Sequence, residues 1–438
     1  MTVKAAAAIR IEPTLQHLAA TDWDRCANPG WTLDHVGTPL RDCGRADLAV
    51  AGRPGAGRDG VEPFCEESES FSEEGESHSQ VIPYNPFISH GFLSSLEETG
   101  CAVAETGWLG QHLILERADG TPDAVMPCYL KNHSKGEYVF DYGWADAFER
   151  AGGHYYPKLQ VSVPFTPATG RRLLLSAEAD RERASAILAA GLAELCKRHG
   201  ASSAHLTFLP KSEWELLGQA GFLQRTDQQF HWEDSGYGDF DGFLGALSSR
   251  KRKNLKRERR EALGDGITVE WISGKDITEA QWDAFHEFYV DTGDRKWGRP
   301  YLNRAFFSLI SERLGNRVVL ILAKRNRRYI AGALNLAGSN TLFGRHWGCI
   351  EDHPFLHFEL CYYQAIDYAL AHGLSRVEAG AQGAHKLARG YMPTTTYSAH
   401  FIANASFRNA IDRYLVQERA AVAHENAALA EHAPFKRG

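Results

Sequence analysis

Residues 317–349, "RVVLILAKRNRRYIAGALNLAGSNTLFGRHWGC", decide the fold. Three apolar runs, "RVVLILAK", "YIAGALNLAG" and "TLFGRHWGC", are parted only by "RNRR" and "SN". Connections that short force neighbouring strands to run antiparallel, so the stretch is predicted to be a meander. The helix pattern "LHFELCYYQAIDYALAHG" follows and stops at Gly373. The strand "SRVEAG", a loop containing "AHKLARGYMP", the strand "TYSAHFI" and an Ala/Glu-rich helix complete the chain.

The same order is legible upstream. "HLILER" and "AVMPCYL" form a hairpin across "ADGTPD", and "YVFDYGW" is a third strand candidate. Arg181 to Arg198 reads as an amphipathic helix, with Ala184, Ile187, Leu188, Leu192 and Leu195 on one stripe. The strands "AHLTFL" and "FLQRTDQQFHW" flank the helix "EWELLGQAG". Each half thus reads as meander, helix, strand and final strand. Strands and helices in that order predict an α/β fold with mixed sheets, and 438 residues exceed one ordinary core. The expected division is an N-terminal extension at 1–84, a first domain at 85–232, a second at 233–405 and a C-terminal helix at 406–438.

Within the extension, "TLQHLAATDWDRCA" suits one short helix. From about residue 28 the chain is rich in Gly, Pro and Arg, then acidic, with seven Glu between Glu62 and Glu76. Without periodicity that segment offers little apolar area to offset its ordering entropy, and disorder is expected. A hydrophobic share of 43% with no run long enough to cross a bilayer points to a cytoplasmic protein. Eight Cys without a CxxC pair argue against a disulfide framework or a zinc site.

Against a net charge of -7, the segment 250–260 carries eight Lys/Arg and one Glu. Helical spacing sets Lys253, Arg257 and Arg260 on one face, with Arg252, Lys256 and Arg259 beside them. Such a face can grip phosphates; a solvated surface is the plain alternative. The absence of aromatic residues from the run argues against base stacking there.

The stretches "WADAFERAGGHYYPKLQVSVPFTPATGRRLL", "RKWGRPYLN", "FGRHWGCIEDHPFLHFELCYYQAIDYA" and "GAQGAHKLARGYMPTTTYSAHFI" resemble the bacterial FemAB-like, peptidoglycan biosynthesis/recognition family of the GNAT acyltransferase superfamily. The resemblance covers about 85–405 and implies two tandem GNAT-like domains. It implies transfer of an aminoacyl or acyl group from aminoacyl-tRNA or acyl-CoA to an amine, with no tightly bound cofactor. The acceptor would be a peptide or cell-wall precursor, and tRNA would lie along 250–260, since Fem-type enzymes carry a comparable basic helix at the entry to their second domain.

Two rivals stay open: an acetyl-CoA-dependent N-acetyltransferase, and a recognition module without turnover. The phosphate-cradling Q/R-x-x-G-x-G/A loop of acetyl-CoA enzymes has one formal match, at 41–46, in the segment expected to be disordered and with no strand before it; it reads as chance.

The resemblance also assigns a reaction-centre role to Lys386, in the loop after the strand 375–380. A cation there would stabilise the oxyanion formed when an amine attacks an ester or thioester. His385 or Glu378 would accept the amine proton. Arg389, Arg295, Lys296, Trp297, Arg299, Tyr301, Arg345 and Trp347 suit a pocket for a polar, partly flat ligand. Tyr155, Tyr156, Lys158, Arg171 and Arg172 are expected to line the cleft between the halves, with Lys131 and Lys135 as further pocket or loop cations. His353 and His357 stand four apart, but Pro354 separates them, and no metal site is predicted.

Overall fold

A computed structural model describes residues 8–34, 37–41, 82–264, 266–296, 300–380 and 383–436. Most of the segment expected to be disordered, 42–81, lies outside the described residues, as does most of the formal match at 41–46.

The first half contributes β1 (Ile9–Glu12), β2 (Trp31–Leu33), β3 (Pro39–Arg41), β4 (Leu109–Gly110), β5 (His112–Glu116), β6 (Pro122–Met126), β7 (Tyr129–Lys131), β8 (Lys158–Val161), β9 (Leu174–Leu175), β10 (Ser203–Leu209) and β11 (Leu223–Glu233). Its helices are α1 (Ala20–Ala27), α2 (His90–Glu98), α3 (Tyr142–Arg150), α4 (Arg181–Arg198) and α5 (Lys211–Gln219). The second half contributes α6 (Phe240–Ala246), α7 (Ser249–Ala262), β12 (Thr268–Ser273), α8 (Glu279–Lys296), α9 (Arg304–Leu314), β13 (Val318–Arg325), β14 (Arg328–Ala337) and β15 (Thr341–Cys349). Then come α10 (Leu356–Phe358), a π-turn (Glu359–Tyr363), α11 (Gln364–Ala371), β16 (Arg376–Glu378), β17 (Met392–Ile402) and α12 (Ala405–Ala430).

Among the described residues, one sheet of eleven strands runs through both halves in the order β12-β13-β14-β15-β16-β11-β17-β10-β8-β7-β4. The predicted meander is β13-β14-β15. At the centre, the two final strands have changed places. β11 of the first half pairs with β16 of the second, and β17 of the second pairs with β10 of the first. The alternation of each strand explains the exchange. Phe230 and Trp232 of β11 enter the core built on Val377, Leu342 and Tyr363. Tyr397, Ala399 and Phe401 of β17 pack on Leu159, Leu206 and Leu192. Each final strand therefore buries its apolar face in the other half, and the expected boundary at 232/233 divides the chain but not the sheet.

Three further elements differ from expectation. The N-terminal residues are built into the lobes: β1 pairs with β5, the buried Trp23 of α1 donates to Ile88 O at 2.8 Å, and β2–β3 form a hairpin. The single helix expected over 14–27 is broken into a turn, Leu15–His17, and α1. "YVFDYGW" is no strand: both edges of β7 are taken by β4 and β8, and positive φ at Gly136 (80°) and Tyr138 (59°) bends the chain toward α3.

The meander's glycines do mechanical work. A Cβ on Gly348 would stand 2.1 Å from Phe288 O, because α8 lies directly on β15 there. Gly348→Ala should cost about 3 kcal/mol or more through overpacking, read as a lower urea midpoint with unchanged slope.

Candidate active site

Among the described residues, β15 and β16 are paired only through Thr341↔Arg376, Leu342↔Val377 and Phe343↔Glu378. Beyond that point β15 runs on beside β14 to Cys349 while the chain leaves β16 at Ala379. A bulge at Arg345, where the register shifts between Leu334 and Asn335, turns the strand away. The parting opens a cleft of about 100 Å³ lined by Asn335, Gly344, Trp347, His357, Cys361 and Tyr362. Parted strands present unpaired backbone N–H and C=O groups, which suit an extended polar ligand. The π-turn places Cys361 and Tyr362 on the opposite wall.

Lys386 sits at the mouth of this parting. Its Nζ donates to Ala379 O at 2.6 Å and Gly380 O at 2.9 Å, which among the described residues leaves one of three ammonium N–H groups for another acceptor. Only 3% of the residue is exposed, and burial pulls its pKa down to about 8. His385 is exposed, and its Nε2 meets Tyr362 OH at 3.0 Å. Partial burial and then the cations Lys386 and Arg389 hold its pKa below the usual imidazole value. Arg389 is occupied: it donates to His385 O at 2.7 Å and Glu258 at 2.8 Å, and its guanidinium lies 3.5 Å over the Phe358 ring. It braces the loop against α7 and leaves its ligand role to others.

Glu378 turns to the other face of the sheet, at the seam between lobes. Its Oε2 accepts the Thr169 N–H at 3.2 Å and stands 4.0 Å from His231 Nε2. Burial lifts its pKa to about 7, partly opposed by the Thr169 hydrogen bond and by Arg376 and Arg172. The strap that reaches it, 162–172, crosses from β8 to the second lobe. Arg345 donates to Phe165 O, and Tyr301 stacks on the Phe165 ring at 4.8 Å. Trp347 lines the cleft edge-on to His357 at 5.2 Å.

α7 lies against the π-turn and the 384–389 turn. Its inner side is consumed by structure: Arg259 binds Glu359 and Asp367 at 2.8 and 2.7 Å, and Glu258 takes Arg389. Lys256 and Arg257 have long partners, Asp241 at 3.4 Å and Glu261 at 3.7 Å. Lys253 and Arg260 are exposed, Arg252 is half-buried, and none of the three forms an ion pair among the described residues.

Several expected pocket residues lie elsewhere. Lys158 is fully buried in the first lobe against Glu137 and Asp141; among the described residues it is the one cation within hydrogen-bond distance of both carboxylates. Tyr156 bonds to Ser134 beside it at 2.9 Å, and Tyr155 donates to Asp141 at 2.7 Å. Lys131 sits 3.3 Å over the Trp108 ring and donates to Lys135 O. Arg171 and Arg172 donate to carbonyls of Ala27, Ala168 and Gly170, so they shape the strap. Arg295 and Lys296 end α8, and Trp297 and Arg299 lie outside the described residues. His353 pairs with Glu351 at 3.0 Å. Sequence reasoning missed His231, Gln229, Asn335 and Cys361; the polar side of "QQFHWE" was the available signal for the first two.

In the second lobe a meander is followed by a helix, a strand parallel to β15 and a final strand. In the first, whose hairpin β5–β6 lies in a separate sheet with β1 and β9, β7 and β8 are followed by a helix, the strand β10 parallel to β8 and a final strand. With the cleft where parallel strands part, this order defines a tandem GNAT-like protein. A family model described as peptidoglycan biosynthesis/recognition matches residues 72–437, and the chain belongs to that FemAB-like family. Solved structures of similar fold include FemX (13% identity, 74% of this chain and 93% of that one, TM-score 0.46). Others are L-PGS from Bacillus licheniformis (8%, 74% and 95%, 0.45) and a tandem GNAT protein from the clavulanic acid biosynthesis pathway (12%, 74% and 98%, 0.37). No curated protein matches the chain. Among the described residues no helix is long and apolar enough to cross a membrane.

Proposed function

We propose that the chain transfers an aminoacyl or acyl group from an activated carrier to an amine, with the carbonyl seated where β15 and β16 part. The observation that carries this reading is the parting itself, with Lys386 at its mouth holding one ammonium N–H unused among the described residues and α7 alongside. The amine nitrogen bonds to the carbonyl carbon, the carrier's C–O or C–S bond breaks, and the amine proton passes by way of Glu378 to the leaving group. Lys386 would meet the developing oxyanion. His385, exposed and tied to Tyr362, serves the loop's geometry in this scheme.

Aminoacyl-tRNA is favoured over acetyl-CoA as carrier. The helix that follows β15 enters through Pro354 and Phe355, with no glycine-rich turn to offer backbone amides to a pyrophosphate. Phosphates would fall instead to the side chains of Arg252, Lys253, Lys256, Arg257 and Arg260. Peptide-linked amines of a cell-wall precursor fit the family description, and the reaction needs no bound cofactor.

The test is transfer by the full chain with charged tRNA and with acetyl-CoA over a panel of peptide amines. Lys253→Glu with Arg257→Glu should weaken tRNA binding and flatten the slope of log affinity against log salt by roughly 1.5, the share of two phosphate contacts. An unchanged slope would return this face of α7 to plain solvent.

A further inference from the structure

The strap 162–172 closes over a buried hydrogen-bond network that ends on a bare acceptor. Cross-strand register sets His231 of β11 opposite Glu378 of β16. Gln229, on the same face, donates its Nε2 to Pro167 O at 2.8 Å, so its Oε1 is the atom 3.1 Å from His231 Nε2. An amide oxygen can only accept, so the His231 proton resides on Nε2 and Nδ1 carries a lone pair. That Nδ1 is buried and meets no donor among the described residues, and the same holds for Thr169 Oγ1 on the strap above it. Buried polar atoms without partners are expensive, about 1–3 kcal/mol each, and the two belong to residues on either side of one carboxyl group: Thr169, whose N–H it accepts, and His231, whose Nε2 stands 4.0 Å from it. Among the described residues the Glu378 carboxyl accepts one hydrogen bond, from the Thr169 N–H, through its Oε2, the atom that stands 4.0 Å from His231 Nε2. The charged groups acting on the pair are Arg376 and Lys386 toward His231, and Arg376 and Arg172 toward Glu378.

We infer that this is the subsite for the acceptor amine: one amine N–H is received by His231 Nδ1 and the other by the Glu378 carboxylate. The nitrogen lone pair is then left to face the carbonyl. This rests on the transfer reading above and adds where the acceptor enters. Entry requires the strap to lift between Phe165 and Thr169, where its holds on the second lobe are Arg345, Gln229, Glu378 and the Tyr301 stack. Phe165 has φ 59°, a conformation that bulky residues adopt only when held, so release of those contacts relaxes the strap toward opening.

The test is ¹⁵N-imidazole NMR on the histidine-labelled full chain, with His231→Asn assigning the signal and His231→Gln in reserve should that variant not fold. His231 should show the Nε2–H tautomer, with a pyridine-type Nδ1. Methylamine should move the Nδ1 signal, and tetramethylammonium, which has charge but no N–H, should not. In transfer assays His231→Leu should raise the amine KM about tenfold, with Asn, whose amide oxygen falls near the Nδ1 position, restoring more than Gln. An Nδ1–H tautomer, or equal responses to the two amines, would overturn the inference. A methylamine-specific shift in a chain that transfers nothing would uphold the subsite and sink the transfer reading instead.

Discussion

Lys386→Met should lower kcat for transfer by about 10²- to 10³-fold while leaving donor affinity within a few-fold. That is the size of effect seen when one donor to a developing oxyanion is removed from a preorganised site. The variant keeps the length of the side chain but forfeits the two hydrogen bonds to Ala379 O and Gly380 O. Some loosening of the loop is therefore expected, and chemical denaturation must accompany the kinetics. Lys386→Arg separates the two roles. Its guanidinium can hold the carbonyls but is larger and planar, so it should preserve stability better than activity. A Met variant with wild-type kcat would remove Lys386 from the reaction centre.

Glu378 and Lys386 together set the pH profile. Glu378 must be ionised to take the amine proton, and its pKa of about 7 makes the rate rise through that value. Lys386 must stay protonated, and its pKa of about 8 makes the rate fall above it. A narrow bell between them is expected, and Glu378→Gln should abolish it along with most of the rate. Stability moves differently. Because the folded Lys386 releases its proton at lower pH than the unfolded chain does, that group alone makes the fold gain stability as pH rises from about 8 to the ordinary lysine value of 10.5. Activity and stability should thus part company in alkali.

The meander, the helices and the loop bearing Lys386 were legible in the sequence because local alternation and turn residues specify them. The strand exchange was not. Period-two alternation in β11 and β17 says that one face of each is apolar and nothing about which core receives it. Lysines show the same limit. Lys386 and Lys158 both stand among aromatic and apolar neighbours, yet one ends at the cleft and the other at the centre of a lobe. The difference lies in partners 17 and 21 residues away for Lys158 and in bare carbonyls for Lys386. Likewise the density of charge in α7 was plain, but the ties of Arg259 to Glu359 and of Glu258 to Arg389 span 100 and 131 residues. Such pairings decide which cations remain for a ligand, and no local pattern records them.

Lys158→Ala should be the most destabilising of these substitutions, by about 3–5 kcal/mol in urea denaturation. Its Nζ lies 2.6 Å from Glu137 and 2.5 Å from Asp141, and both carboxylates are buried. Removing the cation leaves two unpaired negative charges in a site whose nearest other ammonium, Lys131, reaches Glu137 at 3.5 Å and is itself pulled down to about 7 by burial. The pH dependence should reverse sign in the variant. In the wild type the Asp141 carboxyl is held well below its usual range, chiefly against burial by Lys158, so its stabilisation is lost as pH falls through the folded value. In the variant burial, opposed by the weaker fields of Lys131 and His205, raises Asp141 as it already raises Glu137, so the folded state binds protons before the unfolded one and recovers stability on acidification. Adding Glu137→Gln and Asp141→Asn to Lys158→Met should restore part of the loss, since an uncharged, well-filled site escapes the desolvation of the pair. Equal losses in Lys158→Ala at pH 5 and pH 8 would mean that the cost is the cavity and not the charge.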